Sequence, residues 1–199
     1  MDLIPNPHHE GLTRQTTFPV FALIVDHKSR FVFFEGMDDY TTDSCIQILN
    51  KYTAMLQNKG LISKLCYLRA DAGSCFTSSS FISWAEENNI NVSLAAPRHQ
   101  EQNSIVERAW QTLHYMAASM LVHAHVSNSF YYHAHKYASH LMNTLPAKNL
   151  HNKNGIPTTP FFMVTGEKSV QSQFRIFGCP AVWKHPEPTF KGSKVIKKQ

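Results

Sequence analysis

The stretch VFALIVDHKSRFVFFEGM, residues 20–37, decides the architecture. Two runs rich in β-branched and aromatic side chains, 20–26 and 30–37, flank His27-Lys28-Ser29, a pattern that predicts an antiparallel hairpin with a compact turn. Downstream, Thr41 to Asn58 sets Ile46, Leu49, Tyr52 and Leu56 at helical spacing, with Gly60 just past the end. KLCYLRA (64–70) then reads as a short apolar strand buried on both faces, and DAGS (71–74) as a turn. SSFISWAEENN (79–89) predicts a short helix and INVSLAA (90–96) a further strand.

From Ser104 a helix is predicted to about Ala124, with Val106, Ala109, Trp110, Leu113, Met116, Ala117, Met120 and Leu121 on one apolar stripe. A second, from about Asn128 to Leu145, carries Phe130, Tyr131, Ala134, Tyr137, Leu141 and Met142, and Pro146 stops it. Residues 147–160 read as loop, TPFFMVTGE (159–167) as a turn or two of helix, and FRIFGCPAVW (174–183) as a terminal strand pair. A hairpin followed by α/β units predicts an α/β fold, a mixed sheet flanked by helices, with ligand sites gathered at strand ends.

Composition narrows the class. The 199 residues are 43% hydrophobic and 17% charged, which predicts a folded chain with a substantial core. No apolar run reaches the roughly 20 residues of a membrane span, and no secretory leader pattern opens the chain, so an intracellular protein away from the membrane is expected. Four scattered cysteines lack zinc or disulfide-framework spacing, and Cys66 and Cys179, in apolar runs, read as buried. Of the twelve histidines, His123/His125 and His133/His135 are two apart within helices, so they face different ways and read as surface or flank residues. Most of the net charge of +5 comes from residues 184–199, where five lysines face one glutamate. That tail reads as solvated, or as a salt-sensitive grip on phosphates.

Asp71 closes a strand and Glu107 opens the long helix, thirty-five residues intervening. Brought together, such carboxylates make a hard-oxygen site for a divalent ion, suited to phosphodiester chemistry. Each has a plainer reading. Asp71 begins a good turn sequence, and Ser104-Ile-Val-Glu107 fits a capping box. Asp2 and Asp26 are the candidates for a third carboxylate. Asp26 reads most simply as a turn residue, and Asp2 lies next to the terminus, where disorder is the default.

These segments resemble, in order, the integrase catalytic core of Ty1/copia-type retrotransposon polyproteins, a ribonuclease H-like domain of the D,D-35-E kind. DLIPNP (2–7) resembles the family's D-x-x-G-P opening, and ALIVDHKSRFVFFEGM (22–37) its "IDDFSR…V" hairpin. LRADAGSCFTSSSF (68–81) resembles "RSDNGGEFTSxxF", and APRHQEQNSIVERAWQTLHYMAASML (96–121) resembles "TPxTPQQNGVAERxNRTLxxMARSML". LMNTLPAKNL, TPFFMVTGEKSV and FRIFGCPAVW resemble "LxNRxP", "TPxExWxGxKPxV" and "LRxFGCxAYV".

The resemblance implies a mixed five-stranded sheet flanked by helices, with Asp2, Asp71 and Glu107 holding Mg2+ or Mn2+ for trimming DNA 3′ ends and joining them to target DNA. It further implies that Gln102, Asn103 and Arg108 contact DNA, that the chain forms a homo-oligomer, and that it works in the nucleus. It divides the chain into a catalytic core over 1–150 and an extension over 151–199 with a short helix, a strand pair and the lysine-rich tail. There are departures. Ala72 replaces the asparagine of D-N-G, Cys75 replaces an acidic residue, and Ser104 replaces a glycine. Only Met1 precedes Asp2, so a largely missing first strand and a piece of a longer polyprotein are expected. Three functions stay open: an integrating polynucleotidyl transferase, a nucleic-acid-binding module that keeps the fold without the metal chemistry, and a nuclease acting on RNA–DNA hybrids.

Overall fold

The computed structural model describes residues 1–7, 18–58, 65–95, 104–147, 150–152, 154–169, 172 and 174–182. The predicted hairpin is present: β2 (Val20–Val25) and β3 (Val32–Met37) pair antiparallel from Val20↔Met37 to Val25↔Val32. Asp26 fixes the turn, as its plain reading expects. Its Oδ2 accepts from Ser29 N at 2.7 Å and Ser29 Oγ at 2.6 Å, while Arg30 takes a positive φ of 61°.

Alternation along β2 explains its unbroken apolar run. Val20, Ala22 and Ile24 enter a core with α1 (Thr42–Asn58), whose Cys45, Ile48, Leu49, Tyr52 and Leu56 are buried there. Phe21 and Leu23 enter a second core with Leu113, Ala117 and Ala138, from the helices of the opposite layer. Helices cover both faces, so every residue of β2 but the last is buried.

Beyond α1, β4 (Tyr67–Ala70) and β5 (Asn91–Leu94) pair in parallel, joined through α2 (Ser74–Thr77) and α3 (Ser79–Glu87). The opposite layer consists of α4 (Ser104–Ala124) and α5 (Tyr131–Thr144), the latter entered through a 3-10 turn, Asn128–Phe130. A short α6 (Pro160–Thr165) follows, capped by the Thr159 side chain on Phe162 N and ended by Gly166 in the left-handed conformation. This is the mixed α/β arrangement that the hairpin and the α/β units predict.

Several expectations are corrected. The first strand is present: β1 (Asp2–Pro5) is fully paired with β2 from Asp2↔Leu23 to Pro5↔Val20. The five strands divide into a three-stranded sheet, β1-β2-β3, and the β4-β5 pair. Across that division the Met1 amine donates to Arg69 C=O at 2.7 Å. β4 is not buried on both faces: Leu68 and Ala70 point into the core while Tyr67 and Arg69 are exposed, because α4 and α5 pack over β1–β3 and their core takes no residue from β4 or β5. Cys66, just before that open face, is exposed, and so is Cys179. Residues 174–182 form no strand pair; Phe177–Gly178 is a turn, and Phe177 instead packs into the second core. The lysine-rich tail lies outside the described residues.

On α5 the buried face is more polar than its apolar stripe predicts. His135 is 0% exposed, and Ser139, Asn143 and Thr144 are buried, while Phe130 is 46% exposed. Asn143 Nδ2 donates to Val32 C=O and its Oδ1 accepts from Val32 N, both at 2.7 Å. Lys136 Nζ donates to Phe34 C=O at 2.7 Å. α5 therefore satisfies outward-facing backbone groups of edge strand β3, which would otherwise be open to pairing with another chain.

Candidate metal centre

Asp2 opens β1, Asp71 follows Ala70 at the end of β4, and Glu107 stands in the first turn of α4. All three are half-buried, the partial shelter a ligand carboxylate needs. The Asp2 carboxyl is held above its ordinary range, by burial first and then by the negative charge of Asp71, with Glu107 adding to the effect. The two aspartates are therefore near neighbours, and the glutamate reaches them as a more distant charge.

Asp71 Oδ1 is buried and, among the described residues, has no hydrogen-bond partner. Gly73 closes over it: a Cβ there would lie 3.3 Å from that oxygen, so the missing side chain leaves the carboxylate its room. The amine of Met1 shares the site, pushed down to about 6 by burial against the opposing pull of Asp2 and Asp71. Tyr40 borders it too, its hydroxyl raised by burial and then by the charge of Asp2.

An orphaned buried anionic oxygen beside a second carboxylate suits an oxygen-seeking divalent cation, and these donors fit Mg2+ or Mn2+ better than a soft metal. Among the described residues, however, no three His, Cys, Asp or Glu side chains come together as a ligand group. Of the two other carboxylates, Asp71 acts on Asp2 more strongly than Glu107 does. Glu107 makes no side-chain bond to Ser104 among the described residues, so the reciprocal capping box is not formed.

Gln102 and Asn103 lie outside the described residues. Arg108 is exposed on α4, where it is open to a phosphate or to solvent. A groove of about 540 Å³ lies along the other edge of the antiparallel sheet, lined by Phe31, Phe33, Met55, Lys136, Tyr137 and Phe177 among others. Among the described residues that line it there is no Asp or Glu, so it offers a cation no carboxylate.

Two polar clusters escape the sequence reading. Glu35, 8% exposed, accepts from Tyr132 Oη at 2.6 Å and pairs with Lys51 at 2.8 Å and Lys136 at 2.9 Å. Burial alone would raise its carboxyl, but the bonds from Lys51, Tyr132 and Lys136 outweigh that and bring it down to about 2. His135 stacks on Trp110 with ring centroids 5.2 Å apart, lies 2.8 Å from Tyr131 C=O through Nδ1, and meets His114 at 3.3 Å through Nε2. The first cluster has no local signal, since its members come from three elements. The second does: Trp110 and His114 on α4, and Tyr131 and His135 on α5, are each four residues apart.

Among the described residues no helix is long and apolar enough to cross a membrane. No protein-family model matches the chain. It is 29% identical over 123 residues to the Pro-Pol polyprotein of feline foamy virus, covering 61% of this chain and 10% of that protein. It is 27% identical over 161 residues to the retrovirus-related Pol polyprotein from transposon TNT 1-94 of Nicotiana tabacum, covering 81% of this chain and 12% of that protein. Among solved structures, the integrase catalytic core domain of HTLV-2, in complex with magnesium in a trimeric form, aligns with a TM-score of 0.49 at 21% identity, covering 73% of this chain and 85% of that one. The chain thus spans about a tenth of the length of these curated polyproteins, 10% and 12%. It is similar to a segment of retroviral and retrotransposon Pol polyproteins.

Proposed function

We propose that the chain is the catalytic core of a copia-type retrotransposon integrase, which trims DNA 3′ ends and joins them to target DNA with Mg2+ or Mn2+ held by Asp2, Asp71 and Glu107. The observation that carries this reading is the buried, unpartnered Oδ1 of Asp71 beside a second carboxylate that feels its charge. A buried anionic oxygen without a donor is costly unless a cation or water meets it. The relatives add support, because both are polyproteins of reverse-transcribing elements.

In this reading β1, held in register against β2, fixes Asp2, and the end of β4 fixes Asp71. Bound ions would supply Lewis acidity, activating the attacking water or 3′-hydroxyl and steadying the charge on the leaving oxygen. Glu107 would lean in from its helix turn to complete the anionic set, and Arg108 would take a DNA phosphate, with Gln102 and Asn103 beside it. DNA and further copies of the chain are the partners, and the nucleus is the compartment.

A labelled DNA end incubated with the full chain and Mg2+ or Mn2+ tests the proposal. Trimming and joining are expected, both lost in Glu107→Gln. The lack of a three-side-chain ligand group among the described residues favours a second reading, a nucleic-acid-binding module without metal chemistry. That reading expects salt-sensitive DNA binding indifferent to metal and to Glu107→Gln. Cleavage of an RNA–DNA hybrid without joining would point to a nuclease.

A further inference from the structure

Cys45 and Cys75 lie outside the carboxylate chemistry, with Cys75 four residues beyond Asp71. Cys45 belongs to the first turns of α1, Cys75 is the second residue of α2, and both are enclosed in one core, at 0% and 5% exposure. One turn before Cys45, Thr42 Oγ1 donates to Cys75 C=O at 3.3 Å and meets Ser78 Oγ at 2.9 Å. Ser78 Oγ also donates to Cys75 C=O at 3.1 Å. These bonds hold the backbone of Cys75 against the start of α1. The Cys45 thiol is pushed up by burial first and then by the neighbouring Cys75 thiol, and the charge of Asp71 reaches it as well.

We propose that Cys45 and Cys75 are a modification site, a dithiol that oxidises to an intramolecular disulfide and ties α1 to the segment carrying Asp71. α2 is the way in. It has four residues, and its N-cap Gly73 supplies no side-chain bond, so it is the segment that would open locally to admit the oxidant once the Thr42 and Ser78 bonds part. With hydrogen peroxide as oxidant, Cys75 Sγ attacks a peroxide oxygen, the O–O bond breaks, and one water leaves behind a sulfenic acid. Cys45 Sγ then attacks Cys75 Sγ; the S–S bond forms, the S–O bond breaks, and a second water leaves with the Cys45 proton. Two thiols are oxidised and one peroxide is reduced to two waters. Burial pushes the Cys45 thiol up, which casts it as the resolving thiol and not as the first attacker.

The test uses the full chain, with exposed Cys66 and Cys179 first blocked by N-ethylmaleimide in the native state. After hydrogen peroxide, peptide mapping without reductant is expected to recover the Cys45 and Cys75 peptides joined, lighter by the two lost hydrogens. The melting temperature should rise by about 5 °C and fall back with dithiothreitol. Cys45→Ala should leave Cys75 to oxidise past the sulfenic stage. The proposal fails if both thiols stay reduced in the native protein and join only in urea, or if native Cys75 is over-oxidised while Cys45 is intact. None of these readouts depends on metal or DNA chemistry.

Discussion

Asp26 and Asp71 are the same residue type at the same kind of place, each just past a strand, yet they use their carboxylates differently. Asp26 spends an oxygen on Ser29, binding its amide and hydroxyl at 2.7 and 2.6 Å. Asp71 leaves Oδ1 buried and unpartnered, with Gly73 making room for it. The turn reading therefore accounts for Asp26 and not for Asp71. Both sequences read equally well as turns, and only the hydrogen bonding of the carboxylate separates them. Asp2 was harder still to read, because position next to the terminus predicts disorder, whereas pairing with Leu23 orders it. If Asp71 is kept anionic for a cation, Asp71→Asn should relieve repulsion at Asp2. It should then leave the metal-free protein as stable as before, or up to about 1 kcal/mol more stable, while metal-dependent DNA joining falls about a hundredfold or more. Melting curves in chelator beside the joining assay check this. A variant that unfolds would return Asp71 to a structural role.

Among the elements, α4 and α5 differ in how well their sequences announce them. The α4 stripe is apolar at helical spacing, and it lands where expected, with Val106, Leu113, Ala117 and Leu121 buried. On α5 the buried positions include His135, Ser139 and Asn143, because this helix must satisfy an edge strand as well as fill a core. Hydrophobic periodicity cannot register such a face. Asn143→Ala should leave both the N–H and C=O of Val32 without partners, at a cost of about 2–4 kcal/mol, read as a lower urea midpoint. Glu35 links β3 to α1 and α5, and its effect depends on pH. Its carboxyl lies near 2 in the folded chain against an ordinary 4.5, so the folded state binds the proton more weakly. The stabilisation is complete above about pH 4.5 and lost as pH falls toward 2. Lys51 and Lys136 are 59% and 42% exposed, so solvent screening limits the effect to about 1–2 kcal/mol. Urea titrations at stepped pH should show that loss in the native chain and a flatter profile in Glu35→Gln.

In the whole molecule the helical layers follow from the hairpin and the two long helices, whose signals are local and strong. The division of the sheet does not, because it turns on which backbone groups meet between distant segments. β1-β2-β3 and β4-β5 form separate ladders, with the Met1 amine bonded across to Arg69. Asp2 belongs to the first sheet and Asp71 follows the last residue of β4 in the second, so their mutual repulsion acts across the division. A divalent ion between them would replace that repulsion with attraction and act as a clasp between the two sheets. Binding only to the folded state raises stability by about 2.7 kcal/mol at a hundred times the dissociation constant, or about 5–10 °C in melting temperature for a chain of this size. Saturating Mn2+ should therefore raise the melting temperature of the native chain by that amount. It should also slow hydrogen exchange at the ends of β1 and β4 more than at the centre of β2, which is already held on both edges. Asp71→Asn should abolish both effects. An equal rise in that variant would place the ion elsewhere, and slowed exchange confined to α4 would mean that Glu107, and not the junction of the sheets, holds it.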